Sequence, residues 1–278
     1  MMPRVVHGLI LVAAVASAAC KLDSVVFSGK AVDAYTLPTT VIPDSLRKEV
    51  TFTSGGQKLY GYMLRQPGSA PRLTVVFSHG KGGNLARDKE WQHAEMIWQS
   101  GFDVLTYDYR GFGRSTGTSK DETTLAADAQ AALAFVLAQP GVSLGRVVSY
   151  GQSLGSAPAI ALAAATAGMR ALIVESGFSN GQAMLESADP LGFPVLWLLK
   201  EPMLNATKIA TVTAPVLIVH GEDDVQIPVS QGQDLFAAVR STKQLRLVPR
   251  AGHDDVQKVL GLPTYSALLR TFTNATTP

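Results

Sequence analysis

The sequence contains a single cysteine, Cys20, among 278 residues, so no disulfide can form within the chain. Charged residues are also sparse, at 17% of the chain, and the net charge is only +2. No basic stripe with interleaved aromatic residues occurs, which argues against a nucleic-acid partner. Histidine, cysteine and acidic residues do not cluster with the spacing of metal ligands. The sequence therefore predicts no metal, no organic cofactor and no nucleic-acid partner.

A long apolar run is also absent, because the run from Gly8 to Ala19 is too short to span a bilayer. It ends in small residues that suit a signal peptidase, so we expect residues 1–19 to be a signal peptide. Cys20 follows directly and resembles the cysteine of a bacterial lipobox, although Ser17 stands where leucine is usual. This resemblance implies a lipid anchor on Cys20, and Lys21 favours the outer membrane. The alternative is an ordinary secretory signal, with a periplasmic or secreted product.

Residues 20–47 lack a clear periodic pattern and are interpreted as a tether or N-terminal extension. Residues 48–278 begin with a hairpin and continue as apolar runs that alternate with helical stretches. Apolar runs without alternation are typical of strands buried on both faces. The order predicts an α/β domain with a doubly wound, mainly parallel sheet. The predicted strands are Val50–Thr53, Leu59–Leu64, Leu73–Phe77, Phe102–Tyr107, Arg146–Tyr150, Ala171–Val174, Val216–Val219 and Gln244–Val248, and the predicted helices are Leu85–Ser100, Glu122–Ala138, Ser153–Ala167, Ser230–Arg240 and Asp255–Thr273.

One segment, at about residues 179–213, interrupts the alternation. It is longer than an ordinary connection between a strand and a helix, and it contains three prolines and an apolar cluster around Trp197. We interpret it as a small cap insertion over the carboxyl edge of the sheet. The apolar side chains could line an acyl pocket, or they could only pack the cap onto the domain.

The pattern G-x-S-x-G at residues 151–155 lies between a predicted strand and an alanine-rich helix. In that context the pattern is typical of a nucleophile elbow, in which a tight, strained turn presents a serine hydroxyl at the edge of the sheet. Gly151 and Gly155 avoid collisions with the neighbouring strand and helix. Ser153 is therefore the candidate nucleophile.

A serine nucleophile needs a base and an acid that orients it. His253 lies in a loop after the last predicted strand, and the chain order Ser, Asp, His favours it as the base. His79 and His220 precede glycines at strand ends and are interpreted as structural. For the acid we favour Asp224, with Asp223 next, and Glu175 lies at a second possible location.

The loop at residues 78–84 is glycine-rich and follows a predicted parallel strand. Such a loop lets backbone N–H groups approach a reacting carbonyl, so we assign the Lys81 and Leu154 N–H groups as oxyanion donors. A phosphate-binding loop is the alternative, but the spacing of the known nucleotide-binding motifs is missing.

Five segments together resemble the α/β-hydrolase superfamily: SHGKGGN, YDYRGFGRSTG, GQSLGS, HGEDDVQIP and AGHDD. Within the superfamily the chain is similar to small-cap serine hydrolases of acyl esters and thioesters, in the serine aminopeptidase-like group. The resemblance implies Ser153 as nucleophile, Asp224 as triad acid and His253 as base. It also implies that Asp108 and Arg110 are structural.

The sequence predicts an exported serine hydrolase that cleaves a carboxylic ester or thioester of a small-molecule acyl substrate through an acyl-enzyme intermediate. The alternatives are a peptidase or amidase with the same triad, and a surface binding protein that retains the fold without catalysis. An outer-membrane lipoprotein anchored through Cys20 is the expected location.

Overall fold

The computed structural model describes residues 29–68, 72–181 and 203–275. The described strands form one eight-stranded sheet in the order β1-β2-β4-β3-β5-β6-β7-β8, in which the pairs β1–β2 and β2–β4 are antiparallel and the other five pairs are parallel. This confirms the predicted doubly wound, mainly parallel α/β sheet. The strands are β1 (Arg47–Ser54), β2 (Gln57–Leu64), β3 (Thr74–Ser78), β4 (Asp103–Tyr107), β5 (Val147–Gln152), β6 (Ala171–Glu175), β7 (Val216–Gly221) and β8 (Lys243–Val248).

Helices cover both faces of the sheet, because successive strand residues point to opposite faces and both sides are apolar. Val76 packs with α2, α3 and α5 on one face, whereas Val75 packs with α1 and α7 on the other. The described helices are α1 (Asp88–Gln99), α2 (Glu122–Leu137), α3 (Ser156–Ala165), α4 (Asn205–Ile209), α5 (Val229–Ala238), α6 (Val256–Leu260) and α7 (Leu262–Ala275).

The C-terminal helix differs from the single helix predicted over Asp255–Thr273, because two helices, α6 and α7, occupy this region. Gly261 separates them with a φ of +72°, a left-handed conformation that ends a helix and that glycine adopts without strain. Pro263 then lies in the first turn of α7, where a missing N–H is tolerated. No helix in the described ranges is long and apolar enough to cross a membrane.

The described part of the N-terminal extension, from Gly29 to the start of β1, packs on the domain. Ala31 forms a parallel bridge with Gly113, and the Ile42 side chain is buried in the core. The Tyr35 hydroxyl donates to Asp108 Oδ2 at 2.5 Å. These contacts make residues 29–46 an integral layer of the domain. The signal peptide, Cys20 and the central part of the cap, with Trp197, lie outside the described residues.

Candidate active site

The elbow is formed where β5 runs into α3 at the carboxyl edge of the sheet. Ser153 has a φ of +52°, a strained conformation for a non-glycine residue. A Cβ at Gly155 would lie 1.9 Å from the Ser78 carbonyl oxygen, and one at Gly151 would lie 2.3 Å from the Gly155 carbonyl oxygen. The two glycines are therefore required by close backbone approach, and the turn can be this tight only with glycine at both places.

Ser153, His253 and Asp224 form one chain of hydrogen bonds. His253 Nε2 lies 2.8 Å from Ser153 Oγ, and His253 Nδ1 lies 2.8 Å from Asp224 Oδ2. With Nδ1 protonated and donating to the carboxylate, Nε2 is free to accept the serine proton. The structure thus brings together the three residues that the sequence singled out as nucleophile, base and acid.

The Asp224 carboxylate is held from two sides. Oδ1 accepts the backbone N–H groups of Gln226 and Ile227 at 2.9 and 2.8 Å, while Oδ2 faces His253 and lies 3.3 Å from His220 Nε2. Burial by itself would raise the pKa of Asp224, but the hydrogen bonds from His220, His253 and Ile227 hold this pKa well below its ordinary value. Asp224 is therefore an ionised acceptor at neutral pH.

The two other acids considered as orienters lie elsewhere. Asp223 is exposed, and its backbone N–H donates to the Ala251 carbonyl oxygen at 2.9 Å. Glu175 is buried with His93, Tyr150 and Tyr265, and it accepts the Tyr150 hydroxyl at 2.6 Å. Neither carboxylate is hydrogen-bonded to His253 in the described structure.

The loop that follows β3 lies against the elbow. A Cβ at Gly80 would lie 2.4 Å from Gln152 Oε1 and 3.4 Å from Ser153 Cβ, so the loop passes within contact distance of the nucleophile. The N–H groups of Lys81 and Leu154 have no hydrogen-bond partner within the described part of the chain. Both are therefore available as donors beside the serine. Partial burial lowers the pKa of the Lys81 ammonium.

His79 and Asp108 fix this loop from beneath. The buried His79 ring bonds to the Gly80 carbonyl oxygen through Nδ1 at 2.7 Å and to Asp108 Oδ1 through Nε2 at 3.0 Å. Asp108 also accepts the Leu85 N–H at 2.8 Å and the Tyr35 hydroxyl. These contacts agree with the structural roles inferred for His79 and Asp108, and they link the N-terminal extension to the loop beside the serine.

Sequence reasoning missed the contribution of His220 and Ser176. His220 Nε2 donates to the Ile227 carbonyl oxygen at 2.9 Å and lies 3.3 Å from Asp224 Oδ2, whereas its buried Nδ1 has no hydrogen-bond partner among the described residues. Ser176 has a φ of +47° and its hydroxyl donates to the His253 carbonyl oxygen at 3.2 Å. For His220, the sequence offered one signal of a contact with the triad acid, its position four residues before Asp224. For Ser176 the sequence offered no such signal, because its partner His253 lies 77 residues away in the chain.

No group of three or more metal-ligating side chains that could hold an ion occurs among the residues described here. The geometry supports proton transfer from the serine hydroxyl to the histidine, with the carboxylate orienting the imidazole. The apolar cluster predicted to line an acyl pocket lies within residues 182–202, outside the described ranges.

Comparison with known proteins places this fold and site in a family. Residues 69–207 match the family described as serine aminopeptidase, S33. The chain is 31% identical to the protein YfhR of Escherichia coli O157:H7 over 221 residues, which cover 77% of this chain and 76% of that protein. It is 30% identical to human alpha/beta hydrolase domain-containing protein 17B over 216 residues, covering 77% and 71%. The solved esterase Pf2001 of Pyrococcus furiosus superposes with a TM-score of 0.68 at 17% identity, covering 87% of this chain and 99% of that one.

The sheet topology defines an α/β hydrolase fold. The chain belongs to the serine aminopeptidase S33 family of α/β hydrolases.

Proposed function

We propose that this hydrolase cleaves carboxylic esters or thioesters through an acyl-enzyme formed on Ser153. The observation that carries the proposal is the continuous hydrogen-bonded chain from Ser153 Oγ through His253 to Asp224, with both links at 2.8 Å. A serine hydroxyl is a weak nucleophile at neutral pH unless a base removes its proton as it attacks. His253 is that base, and its hydrogen bond to Asp224 fixes the tautomer of the imidazole ring.

In the first half-reaction, the Ser153 oxygen attacks the carbonyl carbon while His253 Nε2 takes the hydroxyl proton. The negative charge that develops on the carbonyl oxygen is stabilised by the Lys81 and Leu154 N–H groups. His253 then returns the proton to the leaving alcohol or thiol, and the acyl group remains on Ser153. A water molecule, deprotonated by the same nitrogen, attacks the ester in the second half-reaction and releases the acid.

Peptide amides are the second candidate substrate class, because the matched family is described as serine aminopeptidase. An aminopeptidase needs a carboxylate that faces the free amine of its substrate. Asp254 follows the base in sequence, but Lys89 forms an ion pair with it. The Lys81 ammonium, in the loop beside the serine, instead favours an uncharged or anionic acyl substrate. These charges are the reason for placing esters and thioesters first.

Covalent labelling tests the nucleophile. A fluorophosphonate probe should modify Ser153, and Ser153→Ala should lose the label and about three or more orders of magnitude in kcat on a generic ester. Equal labelling of the wild type and the variant would contradict the assignment. A wild-type protein with neither labelling nor ester turnover would instead favour a binding protein with this fold.

A substrate panel separates the two enzymatic candidates. Short and medium acyl esters, acyl thioesters and aminoacyl amides are compared by kcat/KM under matched conditions. Esters or thioesters should be turned over faster, because the loop beside the serine carries the cationic side chain of Lys81. A clear preference for aminoacyl amides would establish the peptidase alternative.

For its cellular location, the proposal is export followed by lipid anchoring at Cys20, in the outer membrane. The support is the short apolar run that ends in small residues directly before the only cysteine of the chain.

A further inference from the structure

A cationic pocket lies at the opposite edge of the sheet from Ser153. Its volume is about 530 Å³, and four of its lining residues are the arginines Arg72, Arg146, Arg170 and Arg270. Arg72, Arg146 and Arg170 lie one or two residues before β3, β5 and β6, which are neighbours in the sheet. Because parallel strands begin at one edge, three arginines from distant parts of the sequence converge there, and α7 adds Arg270.

Among the described residues, none that lines this pocket is acidic. Arg72, Arg146 and Arg270 form no ion pair with the residues that the structure describes. Asp103, the acid at the start of β4, is bound by Arg65 at 2.9 Å. The positive charge of these three arginines is therefore not neutralised within the described part of the chain, which leaves them available to an external anion.

Three of the guanidinium groups donate to backbone carbonyl groups. Arg170 Nε donates to the Thr273 carbonyl oxygen at 2.6 Å, and the longer contacts join Arg72 Nη2 to the Pro67 carbonyl oxygen at 3.4 Å and Arg270 Nη1 to the Ser100 carbonyl oxygen at 3.5 Å. A positioned guanidinium binds an oxyanion with less loss of side-chain entropy than a free one, and its planar fork matches the geometry of phosphate. This part of the site is therefore built before a ligand arrives.

We propose that the arginine pocket binds a compound with a phosphate or pyrophosphate group. Several arginines on different walls fit a multiply charged anion better than a single carboxylate, and the volume exceeds that of one phosphate group. A soluble phosphorylated compound and a phospholipid headgroup share this chemistry. The site is remote from the elbow, so the proposal stands or fails independently of the catalytic assignment.

Inorganic pyrophosphate is the probe for isothermal titration of the full chain in 150 mM NaCl, where exposed charges are largely screened. The pocket variant is Arg146→Gln with Arg270→Gln, which retains the polar stems. The matched control is Arg240→Gln with Lys258→Gln, which removes the same charge from exposed positions outside the pocket. The pocket variant should bind at least thirtyfold more weakly than the wild type, since each charged hydrogen bond is worth about tenfold or more, and the control should stay within about twofold. Equal affinity in pocket variant and control would overturn the proposal.

Vesicles distinguish the two sources of the phosphate group. Phosphatidylcholine vesicles with and without phosphatidylglycerol are sedimented with the wild type, the pocket variant and the matched control. Each sedimentation is done in the presence and in the absence of pyrophosphate. Pyrophosphate binding without sedimentation assigns the site to soluble compounds. Sedimentation that needs the pocket arginines and is reversed by pyrophosphate assigns it to a headgroup. No pyrophosphate binding by the wild type, together with sedimentation unchanged in the pocket variant, would refute the site. Thermal unfolding with a Tm close to that of the wild type shows that each variant is folded, whatever the outcome of the catalytic assignment.

Discussion

Asp224 shows at the scale of single residues how a loop selects one carboxylate among neighbours. The backbone N–H groups of Gln226 and Ile227 hold one oxygen, and the imidazole of His253 takes the other. Asp223, one residue earlier, points its carboxylate away and is exposed. The choice between the two acids depends on the path of the loop and not on their chemistry.

Asp224→Asn should therefore lower kcat by about 10⁴, as the corresponding change does in a serine protease, because the amide favours the wrong imidazole tautomer. Asp223→Asn should remain within about tenfold of the wild type, since its side chain does not reach His253. Steady-state ester hydrolysis by the two variants checks this. A larger loss in Asp223→Asn than in Asp224→Asn would show that the register of the loop is wrong.

His220 should contribute to the pH dependence of stability through Asp224. Because the folded-state pKa of Asp224 is depressed, its stabilisation is fully present above the unfolded-state value of about 3.9 and is lost as the pH falls through the folded-state pKa. His220→Leu removes the N–H that faces Asp224 Oδ2, whereas His220→Gln retains a donor there. Gln should have the higher Tm at pH 7, and the difference should shrink only as the pH falls through the folded-state pKa of Asp224.

Both of these variants lack the imidazole, so they differ in the donor that faces Asp224 and not in a charge. Thermal unfolding from pH 7 to well below pH 3 supplies the measurement. A Tm difference between Leu and Gln that does not change over this range would assign His220 to packing alone.

At the scale of elements, the elbow is a contact between three backbones: the end of β3, the end of β5 and the start of α3. Gly155→Ala should cost about 2 kcal/mol or more in free energy of unfolding, because the added methyl group would lie 1.9 Å from the Ser78 carbonyl oxygen. The rate of fluorophosphonate labelling should also fall in this variant, since relief of the clash displaces the neighbouring Ser153.

Gly145→Ala is the matched control, because nothing lies within 4 Å of the added Cβ at Gly145. Urea unfolding should place it within about 0.5 kcal/mol of the wild type. If the two variants are equally stable and equally reactive, the elbow tolerates a side chain at Gly155 and the close-approach argument is wrong.

Local pattern predicted the strands and most helices within a few residues, because strands buried on both faces leave short apolar runs and the stretches between them are long enough for crossover helices. The break at Gly261 was missed, since one glycine in a helical pattern does not by itself mark an end. The contact of Ser176 with the His253 loop could not be predicted, because it joins residues that only the sheet order brings together. The contact of His220 with Asp224 is local, but it depends on the path of a loop that has no periodic pattern. The packing of Tyr35 on Asp108 was hidden for the same reason.

At the scale of the whole molecule, the location remains a prediction of the sequence. Cleavage between Ala19 and Cys20 should leave a diacylglyceryl group on Cys20, which mass spectrometry of the product from the native bacterium would detect. Cys20→Ala should release a soluble enzyme with little change in kcat. An unmodified Cys20, or a mature chain that begins at another residue, would contradict the anchor.

The bridge between Ala31 and Gly113 fixes where the N-terminal segment reaches the domain. Gly113 follows β4 at the carboxyl edge, and the neighbouring Lys30 N–H donates to Gly83 in the loop beside Ser153. The ten peptide units from Cys20 to Lys30 can extend no further than about 36 Å. A chain anchored at Cys20 would therefore keep Lys30, and with it the loop beside Ser153, within that distance of the bilayer. Acyl groups in the membrane would then reach the enzyme by lateral diffusion. The rate of these encounters would be set by the surface density of the acyl groups rather than by a concentration in bulk solution.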